Sequence, residues 1–220
     1  MKKILFLLLC ALMLAGTAQA DVVASWDMYG QPGNQEYTTG IGSTNIIAQN
    51  MVRGAGLNPA SANNSMSSTG WAGTDSDDYF EFGFTVADGY SVTLDELWIG
   101  TRSSGTGPGT IGVYTSLDGY TTSIYTIVQD NTNYSNSIID LSGLGAISGD
   151  FFIRLYEIGD TQADGDGATG SSGTFRIADH LASGTYTDVQ FVGTVVPIPG
   201  ALWLTGSGLL ALVGLRRRMK

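Results

Sequence analysis

Short runs in which apolar and polar residues alternate restrict the fold of this chain more than any other feature. The clearest run is Tyr79–Val86, which has an apolar residue at every second position: Phe80, Phe82, Phe84 and Val86. A period of two with aromatic residues predicts a strand that buries one face. Similar runs predict further strands at 22–28, 91–100, 110–116, 123–128, 151–158, 174–178 and 189–196.

Glycine-rich turns separate these runs. The sequence has 31 glycines among 220 residues, about twice the usual share. Segments 87–89 and 117–119 end in Asp-Gly and are typical turns, and Asp95-Glu96 interrupts an alternation, which predicts a bulge. The pattern predicts an all-β fold, an antiparallel β-sandwich or jelly roll, in one domain spanning 21–195. Loops are predicted at 58–70, 103–109 and 159–173.

The segment 1–20 is typical of a secretory signal peptide. Lys2 and Lys3 precede an apolar stretch, and Ala18-Gln19-Ala20 has the small residues of a cleavage site. We expect cleavage after Ala20, which would remove Cys10, the only cysteine. The mature chain would then have no disulfide bond, and its stability would depend on a packed core.

The predicted domain is strongly acidic. It holds four arginines, no lysine and all 20 carboxylate side chains, which gives a net charge of −16. Such a surface repels phosphates and anionic lipids, so the sequence argues against binding of the domain to nucleic acid or to an anionic membrane.

The C-terminal segment 196–220 has three parts. It begins with Val196-Pro197-Ile198-Pro199-Gly200, continues with an apolar stretch at about 200–215, and ends in the basic residues Arg216, Arg217, Arg218 and Lys220. As a helix the apolar stretch would be roughly 24 Å long, against a hydrocarbon core of about 30 Å. The basic tail predicts a single membrane span, with the tail in the cytoplasm and the domain outside.

This layout resembles the PEP-CTERM sorting signal, in its variant with Val-Pro-Leu-Pro-Ala in place of Pro-Glu-Pro. Ile198 and Gly200 depart from that variant, which has leucine and alanine there. The resemblance implies recognition by an exosortase, an inner-membrane cysteine protease or transpeptidase of Gram-negative bacteria, and a transient membrane span. It also implies a final place at the cell surface or outside the cell, in a family associated with exopolysaccharide and biofilm.

Few residues could carry catalysis. The single histidine, His180, follows a predicted strand and is expected at the surface or in a loop. One histidine without a mature cysteine does not make a zinc site, and the Gly-rich segment 165–170 precedes a strand, whereas a phosphate-binding loop precedes a helix. A glycosidase needs two placed carboxylates, and the sequence singles out no pair. We therefore predict that the protein is not an enzyme.

Two aspartate clusters are candidates for calcium binding. Asp160, Asp164 and Asp166 lie in a glycine-rich loop, and Asp75, Asp77 and Asp78 form a second cluster. Carboxylate oxygens on a bent backbone suit Ca²⁺, although the spacing does not match an EF-hand. The alternative is a solvated acidic turn without metal. No other cofactor is predicted.

The tryptophans separate into two groups. Trp26 and Trp98 lie in predicted strands and are expected in the core, whereas Trp71 follows loop-like sequence and is expected to be exposed, where it could stack on a sugar. Together with the tail, this favours an exported, non-enzymatic module that binds the cell's own exopolysaccharide. A structural matrix or coat protein without a small ligand, and a secreted glycosidase, remain as alternatives.

Overall fold

The computed structural model describes residues 20–73, 75–131 and 133–198, and these residues are almost entirely strand and turn. Two short 3₁₀ helices, Ser116–Asp118 and Ser142–Leu144, are present among them. The strands in chain order are β1 (Asp21–Trp26), β2 (Pro32–Gly33), β3 (Ile41–Gly42), β4 (Ile46–Ala48), β5 (Val52–Arg53), β6 (Asn58–Pro59), β7 (Ser65–Thr69), β8 (Tyr79–Val86), β9 (Tyr90–Ser103), β10 (Thr110–Thr115), β11 (Ser123–Val128), β12 (Ser135–Asp140), β13 (Ala146–Ile147), β14 (Asp150–Glu157), β15 (Phe175–Ala178), β16 (His180–Ala182), β17 (Thr185–Thr187) and β18 (Val189–Pro197).

Two sheets pack against each other. The larger has the order β2-β7-β15-β9-β18-β1-β3, with β12 and β13 also paired with β9, and β6 with β7. The smaller has the order β11-β10-β14-β8-β4, with β5 also on β8, while β16 and β17 form a separate hairpin. Among the described pairings, β2 with β7 is parallel and the others are antiparallel. The predicted all-β sandwich is therefore confirmed.

Aromatic side chains fill the space between the sheets. Phe191 of β18 contacts three phenylalanines of the opposite sheet, Phe82, Phe84 and Phe151, at ring-centroid distances of 5.5 to 5.7 Å. Trp26 packs edge-on against Phe82 at 5.2 Å. The apolar positions of β8 are buried, as the period of two predicts.

Several local predictions hold in detail. Strands β8 and β11 match the predicted ranges residue for residue. The pairing of β18 with β9 moves from Val192–Glu96 to Gly193–Leu94, which leaves Asp95 as the extra residue of a bulge. Gly89 and Gly119 close their turns at φ of 81° and 71°, a region that glycine enters without steric cost.

Residues 58–70 do not form the predicted loop. Strands β6 and β7 lie here, and β7 pairs with β2, β6 and β15. Ser65, Ser67 and Ser68 are buried. The serine-rich composition suggested solvent exposure, but small side chains also fit a closely packed strand.

None of the helices in the described ranges is long and apolar enough to cross a membrane. Residues 1–19 of the predicted signal peptide, the apolar stretch at about 200–215 and the basic tail lie outside those ranges.

Candidate functional site

Trp71 lies inside the core, contrary to its predicted exposure. Its side chain is 0% exposed, and its ring meets Phe175 edge-on at 5.3 Å. Its Nε1–H donates to the carbonyl oxygen of Ser68 at 3.1 Å. The prediction was wrong because the preceding residues, taken as a loop, belong to β7. Trp71 is therefore not available to stack on a ligand at the surface.

The start of the predicted sorting motif is part of the larger sheet. Val196 and Pro197 pair with Ser91 and Tyr90, so the last strand runs two residues past the predicted domain end at 195. The Ile198 N–H donates to the carbonyl oxygen of Gly89 at 2.7 Å. Pro199, Gly200 and the basic tail lie outside the described residues.

The predicted calcium ligands Asp160, Asp164 and Asp166 do not share one site. Asp160 Oδ1 accepts a hydrogen bond from the Thr169 N–H at 3.1 Å, and Asp164 Oδ1 accepts one from the Asp166 N–H at 3.1 Å. Within the described ranges, one set of three carboxylates has oxygens within 4.8 Å of one another: Asp27, Asp179 and Asp188.

A groove of about 190 Å³ opens beside β12 and the β16–β17 hairpin. Three tyrosines line it, with exposures of 78% for Tyr29, 38% for Tyr134 and 71% for Tyr186. The polar lining consists of Asn63, Asn64, Asn136 and Asp179. The groove thus combines flat apolar rings with amide and carboxylate groups, which can hold a ligand by stacking and by hydrogen bonds.

Hydrogen bonds between distant segments hold this groove together. Asn64 Oδ1 accepts from the Gly30 N–H at 2.8 Å, and Asn136 Oδ1 accepts from the Leu181 N–H at 2.6 Å. The first bond joins the segment after β1 to the segment before β7, and the second joins β12 to the hairpin. Both asparagine side chains are therefore held in fixed orientations.

The carboxylate cluster lies at one border of the groove, because Asp179 belongs to both. Asp179 Oδ1 accepts from the Met28 N–H at 2.9 Å. Burial raises the pKa of Asp179 to about 6, against the lowering effect of the Met28 N–H, and the charges of Asp27 and Asp188 raise it further. The concentration of negative charge at this border favours a neutral ligand over an anionic one.

Replacement of Asp179 by asparagine should increase stability at pH 7.5 by about 1 kcal/mol, a value reduced by solvent screening. The folded-state pKa lies above the unfolded value of 3.8, so the folded protein loses stability as the pH rises from about 4 to about 6. Asparagine keeps the acceptor for Met28 and carries no charge. Urea unfolding at pH 7.5 and pH 3.5 should show a gain only at the higher pH. A gain of equal size at both pH values would mean that charge is not the cause, and Asp166→Asn is the exposed control.

A second group of tyrosines lies on the outer side of the smaller sheet but is occupied by the protein itself. The Arg154 guanidinium lies over the rings of Tyr79 and Tyr120, at 4.0 and 4.1 Å from their centroids. It also forms an ion pair with Glu81 at 2.6 Å. Because Arg154 covers a face of both rings, these tyrosines are less open to a ligand than Tyr29 and Tyr186 of the groove. Tyr134 has the Arg102 guanidinium over its ring, at the longer distance of 5.6 Å from the centroid.

Sequence reasoning missed the groove tyrosines. Tyr29, Tyr134 and Tyr186 lie outside the alternating runs, close to glycine or asparagine in the chain. An aromatic residue in a turn, where no core position requires it, is the signal that could have indicated them. His180 was also misjudged: it is 3% exposed and packs against Trp98 at 5.3 Å, since the hairpin folds against β9.

No family model and no curated protein matches this sequence. Solved structures of carbohydrate-binding modules do show some similarity. A family 29 module is 13% identical, with 80% of this chain and 89% of that chain covered and a TM-score of 0.40. A mutant of the module CBM29-2 complexed with mannohexaose is also 13% identical, with 80% of this chain and 92% of that chain covered and a TM-score of 0.39. CBM29_1 from Piromyces equi is 10% identical, with 81% of this chain and 92% of that chain covered and a TM-score of 0.35. A likeness at this level carries no conclusion about ligand or mechanism.

Proposed function

We propose that the domain binds a neutral carbohydrate in the groove between Tyr29, Tyr134 and Tyr186, and that it does so without catalysis. The observation that carries the proposal is the lining of this groove. Three exposed tyrosines line it together with three asparagines and one carboxylate. A neutral sugar requires flat apolar contacts and closely spaced hydrogen-bonding groups together.

The chemistry of a pyranose ring fits this arrangement. The axial C–H groups of a sugar form an apolar face that packs against an aromatic ring, while its hydroxyl groups both donate and accept hydrogen bonds. Amides supply donors and acceptors, and the Asp179 carboxylate is a strong acceptor. A polymer suits an open groove because neighbouring sugar units can stack on different tyrosine rings.

Export and sorting form part of the same proposal. The signal-peptide pattern of 1–20 and the motif, apolar stretch and basic tail of 196–220 support an exosortase substrate that reaches the cell surface or matrix. The ligand would then be the exopolysaccharide of the producing cell. Expression of the full chain with and without an exosortase tests this point: a shorter, released form should occur only with the enzyme.

Alanine substitution at Tyr29 or at Tyr186 should weaken binding of a neutral polysaccharide about tenfold, because each removes one stacking surface. Both side chains are more than two-thirds exposed, at 78% and 71%, so thermal stability should change little. Affinity gel electrophoresis against purified exopolysaccharide, with fragments of it in calorimetry, measures the effect.

The matched control is Tyr125→Ala, an exposed tyrosine on β11 in the other sheet. Equal binding by the wild type and both groove variants would contradict the proposed site. Release of new reducing ends from the polymer would contradict the absence of catalysis, and loss of that release in Asp179→Asn would indicate a glycosidase.

A structural role in a matrix is a second candidate, and β11 favours it. This strand ends the smaller sheet, and it exposes Ile124, Tyr125 and Val128, the last by 71%. An apolar edge strand can pair with the edge of another molecule. Ordered assembly of the full chain without any polysaccharide, prevented by Val128→Lys, would support this role over sugar binding.

A further inference from the structure

Two of the four arginines of the domain lie side by side on the outer face of the larger sheet. Arg176 of β15 is directly opposite Arg102 of β9 in the antiparallel register. Their neighbours along the strands, such as Phe175 and Thr101, are 0% exposed and face the core, so both arginine side chains point away from it. Residues opposite each other in a sheet have Cβ atoms about 5 Å apart, and like charges placed in this way repel each other.

The protein provides partners for the other two arginines but not for this pair. Arg53 donates to three carbonyl oxygens, and Arg154 forms an ion pair with Glu81. Within the described ranges, neither Arg102 nor Arg176 forms an ion pair, and Arg176 Nε has no acceptor. Both side chains are half-buried, and their terminal Nη atoms are not among the enclosed ones. An anion from outside the domain would therefore relieve the repulsion between the two charges.

The arginine pair adjoins the tyrosine groove. Two residues further along the same strands, Ala178 pairs with Gly100, and Ala178 lines the groove. Residues two apart on a strand share a face and lie about 7 Å apart. The Arg102 guanidinium also lies 5.6 Å from the ring centroid of Tyr134, another residue of the groove lining. The groove is thus continuous with the surface that carries the two arginines.

The two ends of this surface have opposite charge. Asp179 lies at one end together with the carboxylates of Asp27 and Asp188. Arg176 precedes Asp179 by three residues of extended chain, a distance of about 10 Å. An acidic group is repelled at the first end and attracted at the second. A ligand that suits both ends has a neutral unit in the groove and an acidic unit beside it.

We propose that Arg102 and Arg176 bind the carboxylate of a uronate sugar that neighbours the neutral unit in the groove. The proposal rests on the proposed function and gives the ligand a class: a polysaccharide in which acidic units stand next to neutral ones. A guanidinium can donate two parallel hydrogen bonds to a carboxylate, and such charge-assisted bonds are stronger than neutral ones. A polymer with a carboxylate on every unit fits less well, because it would also place negative charge beside Asp179.

Chemical reduction of the carboxyl groups of the purified exopolysaccharide to alcohols provides the first test. In calorimetry with fragments of the polymer, the wild-type full chain should bind the native form about tenfold more tightly than the reduced form. Arg102→Gln and Arg176→Gln should each lose most of this preference and bind the reduced form as the wild type does. The Tm of each variant should equal or exceed that of the wild type, since one of two opposed like charges is removed.

The matched control is Thr126→Glu at an exposed position on β11, because it changes the net charge by the same amount on the other sheet. It should keep the preference for the native polymer. Equal affinity of the wild type for both forms would overturn the proposal, while Tyr186→Ala would still report whether the groove binds sugar. Poly-L-glutamate that binds as tightly as the native polymer, and less tightly to both arginine variants, would also overturn it, since the ligand would then be an acidic polypeptide.

A free uronate tests the arginines without the groove. Sodium glucuronate should shift the Nε–H signals of Arg102 and Arg176 in NMR spectra of the full chain, and the two glutamine variants identify these signals. Glucose should not shift them. A shift with glucuronate in a chain that binds no polysaccharide would keep the anion site and refute the sugar groove. Absence of a shift up to about 50 mM glucuronate would overturn the anion site, whatever the groove binds.

Discussion

Replacement of Trp71 by alanine should lower the free energy of unfolding by about 3–5 kcal/mol, the range observed for fully buried large aromatic residues. The indole is 0% exposed and packs between Phe80 and Phe175 at 5.6 and 5.3 Å. Truncation would leave a cavity between the sheets and would remove the donor to the Ser68 carbonyl oxygen. Urea unfolding followed by circular dichroism gives the change.

Tyr29→Ala is the comparison for this experiment, because the Tyr29 side chain is 78% exposed. Its replacement should lower the free energy of unfolding by less than about 0.5 kcal/mol. The loss of unfolding free energy in Trp71→Phe should lie between those of the two alanine variants, since phenylalanine keeps most of the packing and loses the hydrogen bond. Sugar binding by Trp71→Ala, measured where the variant is still folded, should be unchanged. Equal stability of wild type and Trp71→Ala would contradict the buried position.

Replacement of Arg53 by methionine should lower the free energy of unfolding by about 2–4 kcal/mol, because several buried acceptors lose their donors. The guanidinium donates to three backbone carbonyl oxygens. The distances are 2.6 Å to Gln35, 2.5 Å to Gly33, and 2.8 and 3.0 Å to Ser67. Burial lowers the Arg53 pKa to about 10, so the group is still charged at neutral pH.

Arg53 thereby joins β5 to β2, to the segment just after β2 and to β7. Methionine keeps only the length of the arginine stem. At roughly 2–4 °C per kcal/mol for a domain of this size, Tm should fall by about 5–15 °C in a calorimetric scan. Arg53→Lys should recover only part of this, since one ammonium group cannot reach all three carbonyls. Arg102→Met, which loses one hydrogen bond to Asn131, is the control. A Tm of Arg53→Met within a degree of wild type would contradict a structural role for the carbonyl contacts.

The accuracy of the sequence-based predictions depended on whether the relevant information was local. The alternation in β8 is local, so the strand and its buried face were correctly predicted. The bulge at Asp95 was also visible, because two acidic residues interrupt an apolar strand. Trp71 failed because its burial depends on which strands flank β7, and that pairing is set by residues more than 100 positions away, such as Phe175.

The groove could not be predicted for the same reason. Tyr29, Asn64, Tyr134 and Tyr186 come together only after four separate segments have packed. Neither tyrosines nor asparagines have a characteristic spacing in the chain when they act together in this way.

The position of β18 has a consequence for the time order of folding. This strand lies between β9 and β1, and it pairs residue 193 with residue 21, so the first described strand completes its pairing with the last described one. When the N-terminal part of the chain is available first, β1 and β9 cannot complete their pairing until β18 follows. Until then the edges of both strands are uncovered. During this interval the open edges can pair with those of other chains. Binding of a chaperone to these edges would therefore matter most just before β18 pairs.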